Sequence, residues 1–273
     1  MTTSYFYKNN NSRFLAISGK DALSFLQNLV TNDVNLCSKN KYLYSCLLTP
    51  QGKFFADFFI FIYNENYYLE IHKKFYEDLI DKFEIYKLRS EVSIIPIENL
   101  YSYAYFGDIE INNTLIKSND PRTKKLGEKI ISKIEINTNI KQINENEYHE
   151  IHIKNKVPYS PFDLDQNKSL LLENNFENIN AISWEKGCYV GQEITARMKY
   201  RALLKKRIYP LTLIKGLPKT KQSICENESE FGKIISIENN SILAMLKIEL
   251  AESKIKSQQK IKTNDGLILD FII

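Results

Sequence analysis

The chain has 273 residues, 43% of them hydrophobic and 26% charged, which excludes a disordered or fibrous protein. Its length gives a prior of about two domains. The 37 basic and 33 acidic residues leave a formal charge of +4, too balanced to mark a nucleic-acid binder by charge alone.

Residues 14–18 read as a short strand ending at Gly19. Asp21 is placed to cap a helix whose Ala22, Phe25, Leu26 and Leu29 fall at helical spacing, and Thr31, Asn32 and Asp33 punctuate its end. Strands are expected over 42–48 and 54–63, joined by a turn at Pro50 and Gly52, then over 67–71 after a turn at 64–66. Connections this short demand an antiparallel meander. The spacing of Phe75, Leu79, Phe83 and Tyr86 predicts a helix over 73–88. Strand character returns at 92–97 and 101–106. Residues 108–147 are weakly patterned and read as short strands and loops; 144–155 reads as a helix stopped near Pro158, and 159–180 as an ordered connection. Beyond Arg207 the runs 208–214, 232–237, 242–248 and 267–272 are short, β-rich and separated by turn residues, the pattern of a small barrel. The expected fold class is α+β, with a region 1–205 followed by a β-barrel domain 206–273.

Cys37, Cys46, Cys188 and Cys225 form no CxxC pair, so a reducing compartment without a disulfide framework is expected. The first twelve residues are mostly polar, and the longest apolar stretch, 54–63, is broken by Asp57 and is too short for a membrane helix. A soluble, cytoplasmic protein follows as the expectation, with no DNA and no membrane as partner.

One segment stands apart, Lys186-Gly187-Cys188-Tyr189-Val190-Gly191-Gln192-Glu193, continued to Arg201 by a helix-compatible run. Glu193 and Arg197 are four apart and can pair along a helix face. A cysteine just before a helix start and two residues from Lys186 has two reasons for a thiolate, the helix dipole and the lysine charge. The competing reading is a small buried apolar residue. No Cys or His stands at ligand spacing from Cys188, so no metal site is expected from this segment alone.

The segment 186–193, with 194–201 after it, resembles the signature of the YgfZ-type folate-binding proteins, which are linked to iron–sulfur cluster assembly and repair and are relatives of the glycine-cleavage T-protein. Ile17 to Ala22, Phe25 to Gln27, Thr31 to Val34, Leu48 to Lys53 with Asp57, Asp120-Pro121-Arg122 with Gly127, and Gly232, Ser236 and Ala244 look like further elements of that family. The resemblance implies a T-protein-like (GcvT-like) ring of subdomains around a central channel, closed by a C-terminal β-barrel. It implies tetrahydrofolate or a derivative in that channel and a transient iron–sulfur cluster as cargo. The carried-over motif residues are Lys186, Gly187, Cys188, Tyr189, Gly191, Gln192, Glu193 and Arg197. Cys188 is the functional thiol, and Asp57, Glu173 and Arg197 are the candidate folate contacts. Where the family often has Arg-x-Glu-x-Gly-x-Pro, this chain reads His152 to Pro158, with Lys154 at the acidic position and Lys156 at the glycine; Leu171-Leu172-Glu173 keeps only the Leu-Glu half of a Pro-Leu-Glu element. A pterin's N–H donors call for an acceptor, which Lys154 is not.

The implied function is an accessory protein of cluster assembly that binds folate and meets assembly proteins or cluster-containing client enzymes, and that is not a conventional enzyme. The alternative is an aminomethyltransferase-like one-carbon enzyme, against which the chain length argues; a third reading is a scaffold with a vestigial pocket. Asp33 and Asp57, taken on their own, read as caps or solvated turns. His72, His149 and His152 show no metal pattern and read as surface residues. The run Lys199-Tyr200-Arg201 with Lys205-Lys206-Arg207 reads as a solvated face, or one that meets a folate's glutamate tail or an acidic partner, ahead of RNA.

Overall fold

A computed structural model describes residues 4–107, 111, 114–136, 139–201, 203–226 and 229–273. Part of the weakly patterned stretch, at 108–110, 112–113 and 137–138, lies outside the described residues. The chain divides into two compact units: 1–145 with 166–168 and 177–194, and 146–165 with 169–176 and 195–273.

The first unit runs β1 (Tyr5–Lys8), β2 (Ser12–Ser18), α1 (Ala22–Leu29), β3 (Leu43–Leu48), β4 (Phe54–Tyr63), β5 (Asn66–His72), α2 (Lys73–Lys87), β6 (Ser93–Ile97), β7 (Tyr101–Phe106), β8 (Thr114–Asn119), β9 (Glu128–Ser132) and β10 (Lys141–Ile143). Two five-stranded sheets result, ordered β3-β4-β5-β2-β6 and β10-β1-β7-β9-β8. The β3–β4–β5 meander is antiparallel throughout, as its short turns require. Strand alternation on β4 sends Phe58 one way and Phe59 and Phe61 the other. Phe58 meets Phe83 of α2 with ring centres 6.3 Å apart, and Phe25 of α1 meets Phe83 at 5.5 Å, both edge-on. Phe61 joins Phe14, Tyr42, Ile116 and Ile131 in a cluster shared with the second sheet. The strand is therefore buried on both faces, which is why it reads as a continuous apolar run with one interruption, Asp57.

The expected cap of α1 is different in detail. Asp21 occupies the N-cap position without bonding the helix, and its carboxylate instead accepts the Glu91 backbone N–H at 2.8 Å. Strands β1 and β10 carry too few residues to show a period, and sequence patterning passes over both.

Helix α3 (Glu145–Lys154) opens at the end of the first unit. The second unit holds its remainder, α4 (Ser160–Asp163), most of α5 (Gln192–Tyr200), β11 (Lys206–Lys215), β12 (Ser223–Glu226), β13 (Ser229–Glu238), β14 (Ser241–Lys247), α6 (Ile248–Lys256), β15 (Ile261–Lys262) and β16 (Ile268–Phe271). All six strands form one sheet, β12-β13-β14-β11-β16-β15. Its edges approach closely: the Asn264 N–H donates to the Cys225 carbonyl at 3.1 Å, so the sheet is a nearly closed barrel. Leu211, Ile224, Ile234, Ile242, Leu246, Ile261 and Leu269 fill it. Helix α6 was not expected in a region read as all-β; it buries Ala251 against the same core.

Candidate functional site

The signature loop is held in the first unit by three fastenings. Lys186 is buried, and its ammonium donates to the carbonyls of Val30 at 2.6 Å and Asn32 at 2.9 Å, at the end of α1. Those carbonyls lie in the segment just after α1. Burial, opposed by Asp33, brings the Lys186 pKa down to about 8. The lysine expected to tune the thiol is thus committed to backbone oxygens, because the loop crosses the open end of α1. The Val190 N–H donates to the Asn28 carbonyl at 3.2 Å. Gly191 then packs directly on the 49–53 turn. Its φ is +77°, and a Cβ there would lie 2.4 Å from the Thr49 carbonyl oxygen and 3.2 Å from the Gly52 Cα. Gly52 returns the constraint, with φ +67° and a Cβ position 2.9 Å from the Gly191 oxygen. Two glycines in left-handed conformation interlock, which joins two segments that the sequence shows only as separate signatures.

Gly187, by contrast, has open space where its Cβ would be and no positive φ, so the glycine requirement falls on Gly191 and not on Gly187. Between these fastenings Cys188 is exposed. The buried apolar reading of that residue fails, while Cys46 is wholly buried. Tyr189 turns inward, and its hydroxyl is buried without a hydrogen-bond partner; burial, reinforced by Cys46, pushes its pKa up. Gln192 opens α5, its side chain accepting the Tyr189 N–H at 3.3 Å.

Under the loop lies a polar cluster. Asp57 is buried in mid-strand rather than solvated in a turn, since β4 is covered on both sides. Its Oδ2 accepts the Tyr44 hydroxyl at 2.5 Å, and its Oδ1 is buried with no partner. It pairs in register with Cys46. Burial, with Asp57 nearby, drives the pKa values of Tyr44 and Cys46 well up, so both stay protonated. Arg122 spreads its guanidinium 5.2 Å from the Tyr44 ring centre and 4.8 Å from Phe59. It forks onto Asp120, Nε to Oδ1 at 3.0 Å and Nη2 to Oδ2 at 2.7 Å, both residues buried. The DPR element is therefore a closed ion pair that braces Tyr44. Sequence reasoning named Asp57 and Arg122 separately and missed Tyr44, which lies diagonally across the β3–β4 pair from Asp57. Asp33 is a cap as read, its carboxylate accepting the Asn35 N–H at 3.0 Å and the Gln27 amide at 2.9 Å.

In the second unit Glu173 lines a cavity of about 290 Å³ together with Asp163, Asp165, Lys206, Lys221 and Lys233. Arg197 is exposed on α5. Lys154 faces solvent and pairs with Glu150 at 2.8 Å along α3. His149 and His152 are buried, not superficial as their spacing suggested. His149 stands between two carboxylates, Nδ1 3.0 Å from Glu238 and Nε2 3.0 Å from Asp163, and its ring stacks on Phe162. Asp163 also accepts the Ser236 hydroxyl at 2.6 Å. Burial lowers the His149 pKa, but Asp163 and Glu238 outweigh it and leave the value raised. No signal in one sequence joins a histidine at 149 to acids at 163 and 238. Among the described residues no group of three or more His, Cys, Asp or Glu is placed to hold a metal ion.

With this geometry in hand, comparison with known proteins is decisive at domain level. Residues 10–102 match the GCVT N-terminal domain and residues 205–265 match the CAF17 C-terminal β-barrel domain. The chain carries both domains. The solved aminomethyltransferase T of the glycine cleavage system from Bartonella henselae shares the fold, with a TM-score of 0.73 over 98% of this chain and 85% of that one at 11% identity. Homologues include the mitochondrial iron–sulfur cluster assembly factor IBA57 homologue of Mycosarcoma maydis, 31% identical over 74% of this chain, and IBA57 of Mus musculus, 25% identical over 93% of this chain and 79% of its own length. The tRNA-modifying protein YgfZ of Aliivibrio fischeri is 27% identical over 83% of this chain and 78% of its own. The matches span 56% and 53% of the lengths of the first two curated relatives, little more than half. The GCVT match ends before the signature loop, and the CAF17-type barrel match begins at residue 205, one residue before β11. The expected cytoplasmic location does not stand: the IBA57 relatives are mitochondrial, and they point to that compartment. Absence of a signal-like stretch near residue 1 was the basis of that expectation, and it carries no weight against them.

Proposed function

We propose that this protein is an accessory factor in iron–sulfur cluster assembly or repair, that Cys188 is its functional thiol, and that it binds a reduced folate. The observation that carries the reading is the presentation of Cys188: an exposed thiol on a loop whose two flanks, Lys186 and Gly191, are locked into the first unit. A thiol held out on a rigid loop is reachable by a protein partner and poised for exchange with its cargo, an iron–sulfur cluster. Similarity to proteins named as iron–sulfur cluster assembly factors, over most of this chain, supports the same role. The assembly machinery and cluster-containing client enzymes are the proposed partners. Residues 1–205 are the proposed folate-binding region and 206–273 the barrel domain that follows it.

Asp57 fits a pterin. Its unpartnered, buried Oδ1 is an acceptor awaiting an N–H donor, and the Tyr44 hydroxyl holds the other oxygen in place. A bound reduced folate would supply one-carbon or reducing chemistry. The protein's own part is to orient the ring through Asp57 and to keep that carboxylate braced by Tyr44 and Arg122. Glu173 and Arg197 of the second unit are carried as further proposed contacts.

Two experiments test this. In cells depleted of the natural protein, Cys188→Ala should accumulate normally yet leave cluster-dependent enzymes impaired; full activity of those enzymes would overturn the thiol's role. In a tetrahydrofolate titration Asp57→Asn, which exchanges an acceptor oxygen for a donor, should lower affinity about tenfold or more. Equal affinity would remove Asp57 from the site. Formation of methylenetetrahydrofolate from an aminomethyl-loaded carrier would replace the accessory role by catalysis.

A further inference from the structure

The turn that follows α3 places a lysine in an uncomfortable position. Lys156 has φ +56°, the left-handed region where a side chain is strained. The turn is fastened around it: the Lys156 N–H donates to the Ile153 carbonyl at 3.0 Å, and the Asn175 side-chain amide donates to the Lys156 carbonyl at 2.9 Å. Held this way, the half-buried lysine lays its ammonium 4.2 Å from the centre of the buried Tyr209 ring. Arg207 and Tyr209, two residues apart, share one face of β11, so a guanidinium stands on the strand face whose next side chain carries the ammonium. Burial, with repulsion by Arg207, lowers the Lys156 pKa to about 8. Glu252 on α6 is the carboxylate that faces the pair, and it forms no ion pair with either cation among the described residues. The Arg207 Nε is buried without a hydrogen-bond partner.

Two like charges partly out of water, side by side and without an acceptor, are costly. Backbone strain persists only where its surroundings enforce it. An oxyanion removes both the repulsion and the unmet donors: the guanidinium offers a fork, the ammonium a point charge, and the tyrosine ring a floor. We infer that Lys156, laid over the Tyr209 ring, and Arg207, on the same face of β11, form an oxyanion site for the phosphoryl or carboxylate group of a small anionic metabolite. The site shares no residue with the proposed function and stands or falls apart from it.

The test uses the full chain near neutral pH at constant ionic strength, with inorganic phosphate and glutarate as separate probes and chloride as the balancing salt. Thermal unfolding and calorimetric titration are read together. Wild type should bind at least one probe saturably, with a midpoint that rises as the probe is added. Lys156→Gly and Arg207→Gln should each weaken that binding about tenfold or more. Lys156→Gly relieves the backbone strain, so its folding is secure and a lost response reports the site. Saturation by phosphate alone assigns a phosphoryl ligand; saturation by glutarate alone assigns a carboxylate. No saturable response to either probe in wild type, or undiminished affinity in both variants, overturns the site.

Discussion

Two lysines in this protein share a pKa of about 8 and an aromatic neighbour, Tyr189 for Lys186 and Tyr209 for Lys156, and differ in what takes their protons. Lys186 of the first unit gives its ammonium to two carbonyls at a helix end. Lys156 of the second lies over an aromatic ring and is repelled by a second cation, and among the described residues no carbonyl or carboxylate accepts a hydrogen bond from its ammonium. Burial depresses both, so the pKa alone does not distinguish them. What separates a structural fastening from a ligand site is whether the donors are already spent. His149 is a third case, an imidazole whose two ring nitrogens each meet a carboxylate within its own unit. The ammonium of Lys186 has its acceptors within the chain; that of Lys156 has none among the described residues.

The sharpest break of the fastened side is Gly191→Ala. A Cβ 2.4 Å from the Thr49 oxygen, at φ +77°, should cost about 3 kcal/mol or more, read by chemical denaturation. Next comes Lys186→Met, which leaves the Val30 and Asn32 carbonyls without their donor and should cost about 2 kcal/mol. A neutral effect there would show that water replaces the ammonium, and the contrast with Lys156 would collapse.

His149→Gln should cost about 2 kcal/mol in acid and less as pH rises. Its raised pKa means the folded chain holds the proton more tightly than the unfolded one. That stability is full below the ordinary value of 6.5 and is lost as pH climbs through the raised folded value. The lysines run the other way. Each is about 8 folded against 10.5 unfolded, so the unfolded chain binds more protons between those values and stability rises with pH across that window. Lys156→Gly should therefore gain about 1 kcal/mol at neutral pH and flatten part of that slope. The smallest effect belongs to Gly187→Ala, below about 0.5 kcal/mol, since nothing lies within 4 Å of the new methyl.

Much of the meander and of α2 was legible because Phe75, Leu79 and Phe83 keep a helical period and β4 is an apolar run interrupted only by Asp57. The two-residue β15 and the four-residue β1 have too few residues for a period and owe their existence to pairing with distant strands. The buried polar groups were the least legible. Asp57 and His149 look like surface residues in one dimension because burial of a polar group is decided by partners far along the chain. Lys186 illustrates the same limit: its neighbour in sequence is Cys188, but its neighbours in space are carbonyls at 30 and 32. The resemblance to a known signature singled out the loop and said nothing of what its lysine touches.

The Lys186–Val30 bond links positions 156 apart in the chain. Closing a contact of that range costs more chain entropy than closing a short one, and packing of the surrounding unit has to offset it. The place of the loop therefore depends on the folded first unit. A chain still being synthesised, or one partly unfolded, carries Cys188 as an ordinary mobile thiol. In the folded unit Lys186 and Gly191 hold the two flanks, and Cys188 takes its fixed place from them.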